Sequence, residues 1–186
     1  LKRMLQPSYH DRGPVLSSTT WWEQYNETLS ESATHRVVAY VRSFAPAPGH
    51  HGNRALVLDE LQSAVGSGTL DSSGLTVLGE GICRCQNCQR SPEASRLLET
   101  AETLSRWTSE GLRPTGFEER LVCSEITDEE YRVIVPPELA VGIYADDRLV
   151  GVFPSATETD LVKPIDYAAT LVSHRTNQAE KVTELP

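Results

Sequence analysis

Val37-Val38-Ala39-Tyr40-Val41-Arg42-Ser43-Phe44 is the stretch that decides how this chain folds. It is β-branched and aromatic, and Ala45-Pro46-Ala47-Pro48-Gly49 closes it, so it reads as a strand. Downstream, Asn53 can cap a helix in which Val57, Leu58, Leu61, Ala64 and Val65 recur at helical spacing, with Gly66 and Gly68 to end it. A turn from Asp71 to Gly74 then leads into Leu75-Thr76-Val77-Leu78, a second strand. The three pieces form a β-α-β unit of about 45 residues, a connection that pairs its strands in parallel through a right-handed crossover.

Working outward, Ser91 offers an N-cap and Pro92 a first-turn residue for a helix striped by Ala94, Leu97, Leu98, Ala101, Leu104 and Trp107 or Thr108. After Pro114 the pattern turns to strands. Phe117 to Cys123 and Tyr131 to Val135 are two of them. Ala140 to Tyr144 and Leu149 to Phe153 form a hairpin around Ala145-Asp146-Asp147-Arg148. Leu161 to Val172 reads as a last helix, interrupted by Pro164. The fold class is therefore α+β, with a β-α-β-α opening followed by antiparallel strands. That order predicts a mixed sheet with helices packed on one face.

Residues 35–172 read as one domain. Residues 1–34 read as a peripheral extension, in which Thr19 or Thr20 caps a short helix carrying Trp21, Trp22, Tyr25 and Leu29. The adjacent tryptophans either fold back over an apolar edge or serve as a partner anchor. Residues 173–186 are polar and read as a flexible tail.

The chain has 186 residues, enough to bury a core without disulfides. Its net charge of −9 disfavours coating nucleic acid through overall charge. No apolar run approaches the roughly 18 residues of a membrane span, and Leu1 to Tyr9 lacks the apolar centre of a secretion signal. Asn26-Glu27-Thr28 fits a glycosylation acceptor, but nothing routes the chain outward, so a cytoplasmic protein is expected. Three lysines stand against fourteen arginines. This acidic, lysine-poor surface suits either a salt-adapted cell or a genome rich in G and C.

The cysteines are the sharpest chemical feature. Cys83, Cys85 and Cys88 form Cys-x-Cys-x-x-Cys, and Cys123 follows 35 residues later. Four thiolates are the ligand set of a closed structural zinc site, and the helix from Pro92 could bring both ends of that excursion to one edge. His50 and His51 are substitute ligands on a loop. Two other readings stand beside zinc: packing thiols at the ends of Gly81-Ile82 and Leu121-Val122, or a redox-active pair. Arg84 and Arg90 flank the cluster and are expected to lower its thiol pKa values.

Catalysis is poorly served. None of the five histidines stands in a hydrolase or protease motif, and Gly79-Glu80-Gly81 opens no dinucleotide-binding helix. The acidic run Glu125, Asp128, Glu129 and Glu130 reads as a solvated hairpin loop. The chain reads as a non-enzymatic binding protein.

Val38-Ala39-Tyr40-Val41-Arg42-Ser43-Phe44-Ala45-Pro46-Ala47, the helix from Val57 to Leu61, Glu125-Ile126-Thr127-Asp128-Glu129-Glu130-Tyr131 and Val135-Pro136-Pro137-Glu138-Leu139-Ala140 carry a resemblance. Over residues 36–153 the chain resembles small haloarchaeal proteins described as helix-turn-helix domain-containing. The resemblance implies a cytoplasmic, salt-adapted protein with a role in transcription regulation, acting on DNA or through a protein partner. The residues themselves do not spell out a recognition helix. Ala55 to Cys83 holds no arginine or lysine, and Ser72 to Leu78 reads as strand where a second helix would stand. The alternative is a zinc- or thiol-responsive interaction module built on Cys83, Cys85, Cys88 and Cys123. An exposed sheet edge offers a route to a homodimer.

Overall fold

The computed structural model describes residues 20–172, apart from 33, 46–48, 50, 110 and 127. The expectations for residues 1–19 and the C-terminal tail therefore lie outside the described residues. Helix α1 (Thr20–Glu31) is followed by strand β1 (His35–Val41), helix α2 (His51–Gly66) and strand β2 (Ser72–Val77). Then come β3 (Ile82–Cys83), a 3-10 turn (Cys88–Arg90) and helix α3 (Pro92–Arg106). Strands β4 (Arg113–Pro114), β5 (Glu118–Cys123), β6 (Glu130–Val135), β7 (Leu139–Ala145), β8 (Arg148–Phe153), β9 (Ser155–Ala156) and β10 (Leu161–Val162) complete the sheets. A last helix, α4, covers 164–172.

The principal sheet has the order β2-β1-β7-β8. β1 and β2 pair in parallel, with Ala39 opposite Leu75, as the β-α-β reading requires. On its other side β1 pairs antiparallel with β7, Ala39 facing Val141. The mixed sheet and the α+β class are those expected. The β7–β8 hairpin turns on Asp146 and Asp147, which both take positive φ (48° and 64°). A two-residue turn with both φ positive matches the right-handed twist of its strands, and aspartate tolerates that region better than most residues. Asp146 also accepts a hydrogen bond from the Thr34 amide at 2.9 Å, tying the hairpin to the start of β1.

The helices divide between two faces rather than sharing one. Val37 and Ala39 of β1 face a core completed by Val57, Leu61 and Ala64 of α2 and by Tyr167, Ala168 and Leu171 of α4. Val38 and Tyr40 point the other way, into a second core with Ala101 and Leu104 of α3 and Ile82 and Ile134 of the sheet β3-β6-β5. The reason is the unbroken buried run Val37–Val41: a strand apolar at every position needs cover on both sides.

Local sequence accounts for the starts of α3 and α4, whereas α2 begins at His51, so Asn53 lies inside its first turn and is not its cap. Ser91 caps α3, its hydroxyl accepting from the Ala94 amide at 3.4 Å, with Pro92 in the first turn. Pro164 opens α4 instead of interrupting a longer helix. Its missing N–H falls where none is needed, and the Asp166 carboxylate accepts from the Lys163 amide at 2.8 Å.

Helix α1 joins the first core through Tyr25, whose hydroxyl meets that of Tyr167 at 2.9 Å. The Tyr25 ring meets Tyr167 edge-on, and Tyr167 stacks on Phe153 at 5.6 Å. The side chains of Trp21, Trp22 and Leu29 lie outside the described set.

Gly142 of β7 marks the tightest approach in the second core. A Cβ there would lie 3.0 Å from Tyr40 Cε2, 3.2 Å from Leu104 Cδ2 and 3.3 Å from Tyr144 Cε2. Gly142→Ala is therefore expected to destabilise the protein by about 1–3 kcal/mol through overpacking, read as a lower denaturation midpoint in urea. Tyr25→Phe leaves the buried Tyr167 hydroxyl without its partner. It should cost about 1–3 kcal/mol in the same assay, and a loss within a few tenths would show that α1 is not docked as described.

Candidate metal centre

Three of the four cysteines converge. Cys83 is the last residue of β3, Cys85 lies two residues beyond it, and Cys88 opens the 3-10 turn before α3. Their sulfur atoms all lie within 4.8 Å of one another, the only such group of potential metal ligands among the described residues. Cys83 and Cys85 are half-buried and Cys88 is exposed; all four cysteines are free thiols.

The loop is shaped by contacts that do not involve sulfur. The Arg84 amide donates to the Arg132 carbonyl at 2.9 Å, carrying the edge of β3 along β6 for one more residue. The Gln89 carboxamide donates to the Cys83 carbonyl at 2.7 Å, and its amide to the Cys85 carbonyl at 3.1 Å. Arg84 extends to Glu102 of α3 at 3.2 Å and to Glu119 of β5 at 2.8 Å, bridging the helix and both ends of the second sheet. Its Nε is buried without a partner. Glu102 also meets Arg106, so this i,i+4 pair on α3 belongs to a larger cluster around the loop. These groups are about a quarter exposed or more, which limits what each ion pair adds to stability.

Two backbone amides point at sulfur. Cys85 N–H donates to Cys83 Sγ at 3.3 Å, and Cys88 N–H donates to Cys85 Sγ at 3.4 Å. The Cys88 amide, with help from the neighbouring thiols, draws the Cys85 pKa below its ordinary value. The Cys85 thiol, followed by that of Cys83, pushes Cys88 the other way, up to about 11. The flanking arginines, expected to depress the thiols, are not among the causes, and Arg84 is committed to two carboxylates.

Cys123 does not join the group. The register runs Cys83 to Val133 and Val133 to Arg120, so Cys83 lies level with Arg120, two strands away. Cys123 is three residues further along β5, roughly 14 Å from Cys83 by strand spacing and rise, and its side chain points to the opposite face. His50 and the side chain of His51 lie outside the described set. Glu125, Asp128 and Glu129 lie in an exposed loop between β5 and β6, as expected, while Glu130 opens β6; Tyr131 donates to Glu129. Gln89 and Glu119 carry no sequence signal of their own: one acts within a short polar turn, and the other reaches Arg84 only through strand pairing.

Residues 29–176 match a family described as a helix-turn-helix domain. The chain belongs to that family. No curated protein and no solved structure matches it. Within the matched span, α2 is followed by strand β2, which pairs with β1. Among the described residues, no two α-helices are joined without an intervening strand.

The opposed pKa shifts predict an order of alkylation. In reduced, metal-free protein at mildly alkaline pH, iodoacetamide should modify Cys85 well before Cys88, because only the thiolate attacks. Peptide mass spectrometry over a time course reads the order, and equal rates would refute the hydrogen-bond geometry of the loop.

Proposed function

We propose that this is a non-enzymatic regulatory protein that acts in transcription inside the cell, through a protein partner more than through its own contacts with DNA. Membership of the helix-turn-helix domain family over residues 29–176 carries this reading. The bias towards a partner comes from charge. DNA affinity rests on uncommitted cations against phosphate, and the chain carries −9 overall. Arg36, Arg42, Arg84, Arg106 and Arg120 are each paired with a carboxylate. The exposed face of α3 mixes acids and bases and offers no basic stripe. Among the described residues no helix is long and apolar enough to cross a membrane.

Chromatin immunoprecipitation of the tagged protein from its own cells tests the proposal. Enrichment at discrete promoters is expected, and uniform background would overturn it. Mobility shifts of the purified protein on an enriched promoter then separate the two routes. Weak retention that does not exceed that on unrelated DNA supports the partner. Tight, sequence-specific retention falling steeply with log salt overturns the partner route in favour of direct binding.

A further inference from the structure

The loop 83–88 places three sulfur ligands around one point, and several contacts that shape it do not involve sulfur. Gln89 and the Arg84 amide pin the carbonyl of Cys83 and the path of the chain. Arg84 ties the loop to Glu102 and Glu119. The amides of Cys85 and Cys88 donate to sulfur, the arrangement that thiolates bound to a cation require of their surroundings. Tetrahedral zinc with bonds near 2.3 Å sets its sulfurs about 3.8 Å apart. The three sulfurs here, all within 4.8 Å, need to move by no more than on the order of 1 Å to reach that spacing.

We propose that Cys83, Cys85 and Cys88 bind one zinc ion through three thiolates, with Cys123 excluded and the fourth position left to a non-cysteine ligand. Soft thiolates select zinc over magnesium or calcium, and a four-cysteine iron–sulfur cluster lacks its fourth thiolate here. Binding forms three Zn–S bonds, and each thiol still protonated gives its proton to solvent. A site with three protein ligands differs from the closed four-cysteine set: water, a histidine or a partner's side chain can complete it. Zinc so held would fasten the end of β3 to the turn that starts α3. This inference is independent of the regulatory reading, since it concerns occupancy of the loop and not its target.

The test uses the full chain purified anaerobically with reductant, without chelator or affinity metal, and then titrated with zinc. Elemental analysis and native mass spectrometry should find one zinc per chain. Cobalt(II) in place of zinc should give thiolate charge-transfer and tetrahedral d–d bands. Cys83→Ser, Cys85→Ser and Cys88→Ser should each weaken zinc by more than the roughly 10–100-fold typical of losing an outer-shell partner. Cys123→Ser should retain stoichiometric zinc. Circular dichroism checks folding, and the cobalt spectrum of unaltered protein keeps the test decisive if a serine variant fails to fold. Four free thiols with no metal after titration would overturn the proposal. So would a Cys85–Cys88 disulfide that persists under reductant, or zinc lost in Cys123→Ser as completely as in Cys85→Ser.

Discussion

Everything in this protein is arranged around one strand that is buried on both sides. β1 pairs in parallel with β2 and antiparallel with β7, so its backbone is satisfied along both edges. Its side chains from Val37 to Val41 are all buried, alternating between two separate cores. Burying five consecutive apolar residues removes a large apolar area from water, but only if each face of the sheet is covered. Helices α2 and α4 cover one face, and α3 with the second sheet covers the other. Gly142 lets Leu104 of α3 approach the sheet closely, so the second core depends on a residue with no side chain.

The candidate metal centre grows from that second core. Ile82 packs beside Leu104, and the next residue, Cys83, turns to the opposite face of β3. The chain then folds back through Cys85 and Cys88 before α3 begins at Pro92. The loop is therefore held at both ends by buried elements, while its sulfurs stay half-buried or exposed. A rigid frame with accessible ligands is what a metal or thiol chemistry needs. A mobile loop would have to give up conformational entropy on each binding event.

How much of this was legible beforehand differs by feature. The parallel pairing of β1 with β2, the Ser91–Pro92 helix start and the Asp146–Asp147 hairpin follow from strong local signals, and all are present. The helices do not share one face, against the expectation, because of the strand itself. Val37-Val38-Ala39-Tyr40-Val41 does not alternate, and a strand without alternation has no wet face. Pro164 reads as an interruption in the sequence because a lone proline signals both a break and a first turn. The side chain of Asp166 settles which, through the Lys163 amide. For the cysteines, Cys-x-Cys-x-x-Cys was enough to suggest a cluster, since three residues within six positions on a tight loop can scarcely avoid one another. Whether Cys123 belonged to it depended on strand order.

By itself, then, the sequence determined the longer elements and some of their ends, though not the start of α2 at His51 or of β2 at Ser72. Periodicity, caps and turn residues act over a few positions and leave their marks in order along the chain. It also determined the grouping of Cys83, Cys85 and Cys88, because their spacing is shorter than one turn and a loop. Only the tertiary structure decided the division of the helices between two cores, the bridging of Glu102 and Glu119 by Arg84, and the exclusion of Cys123. Each of these turns on sheet register. A shift of one residue reverses which face a side chain occupies, and that shift is set by the packing of distant segments, not by any local run of residues.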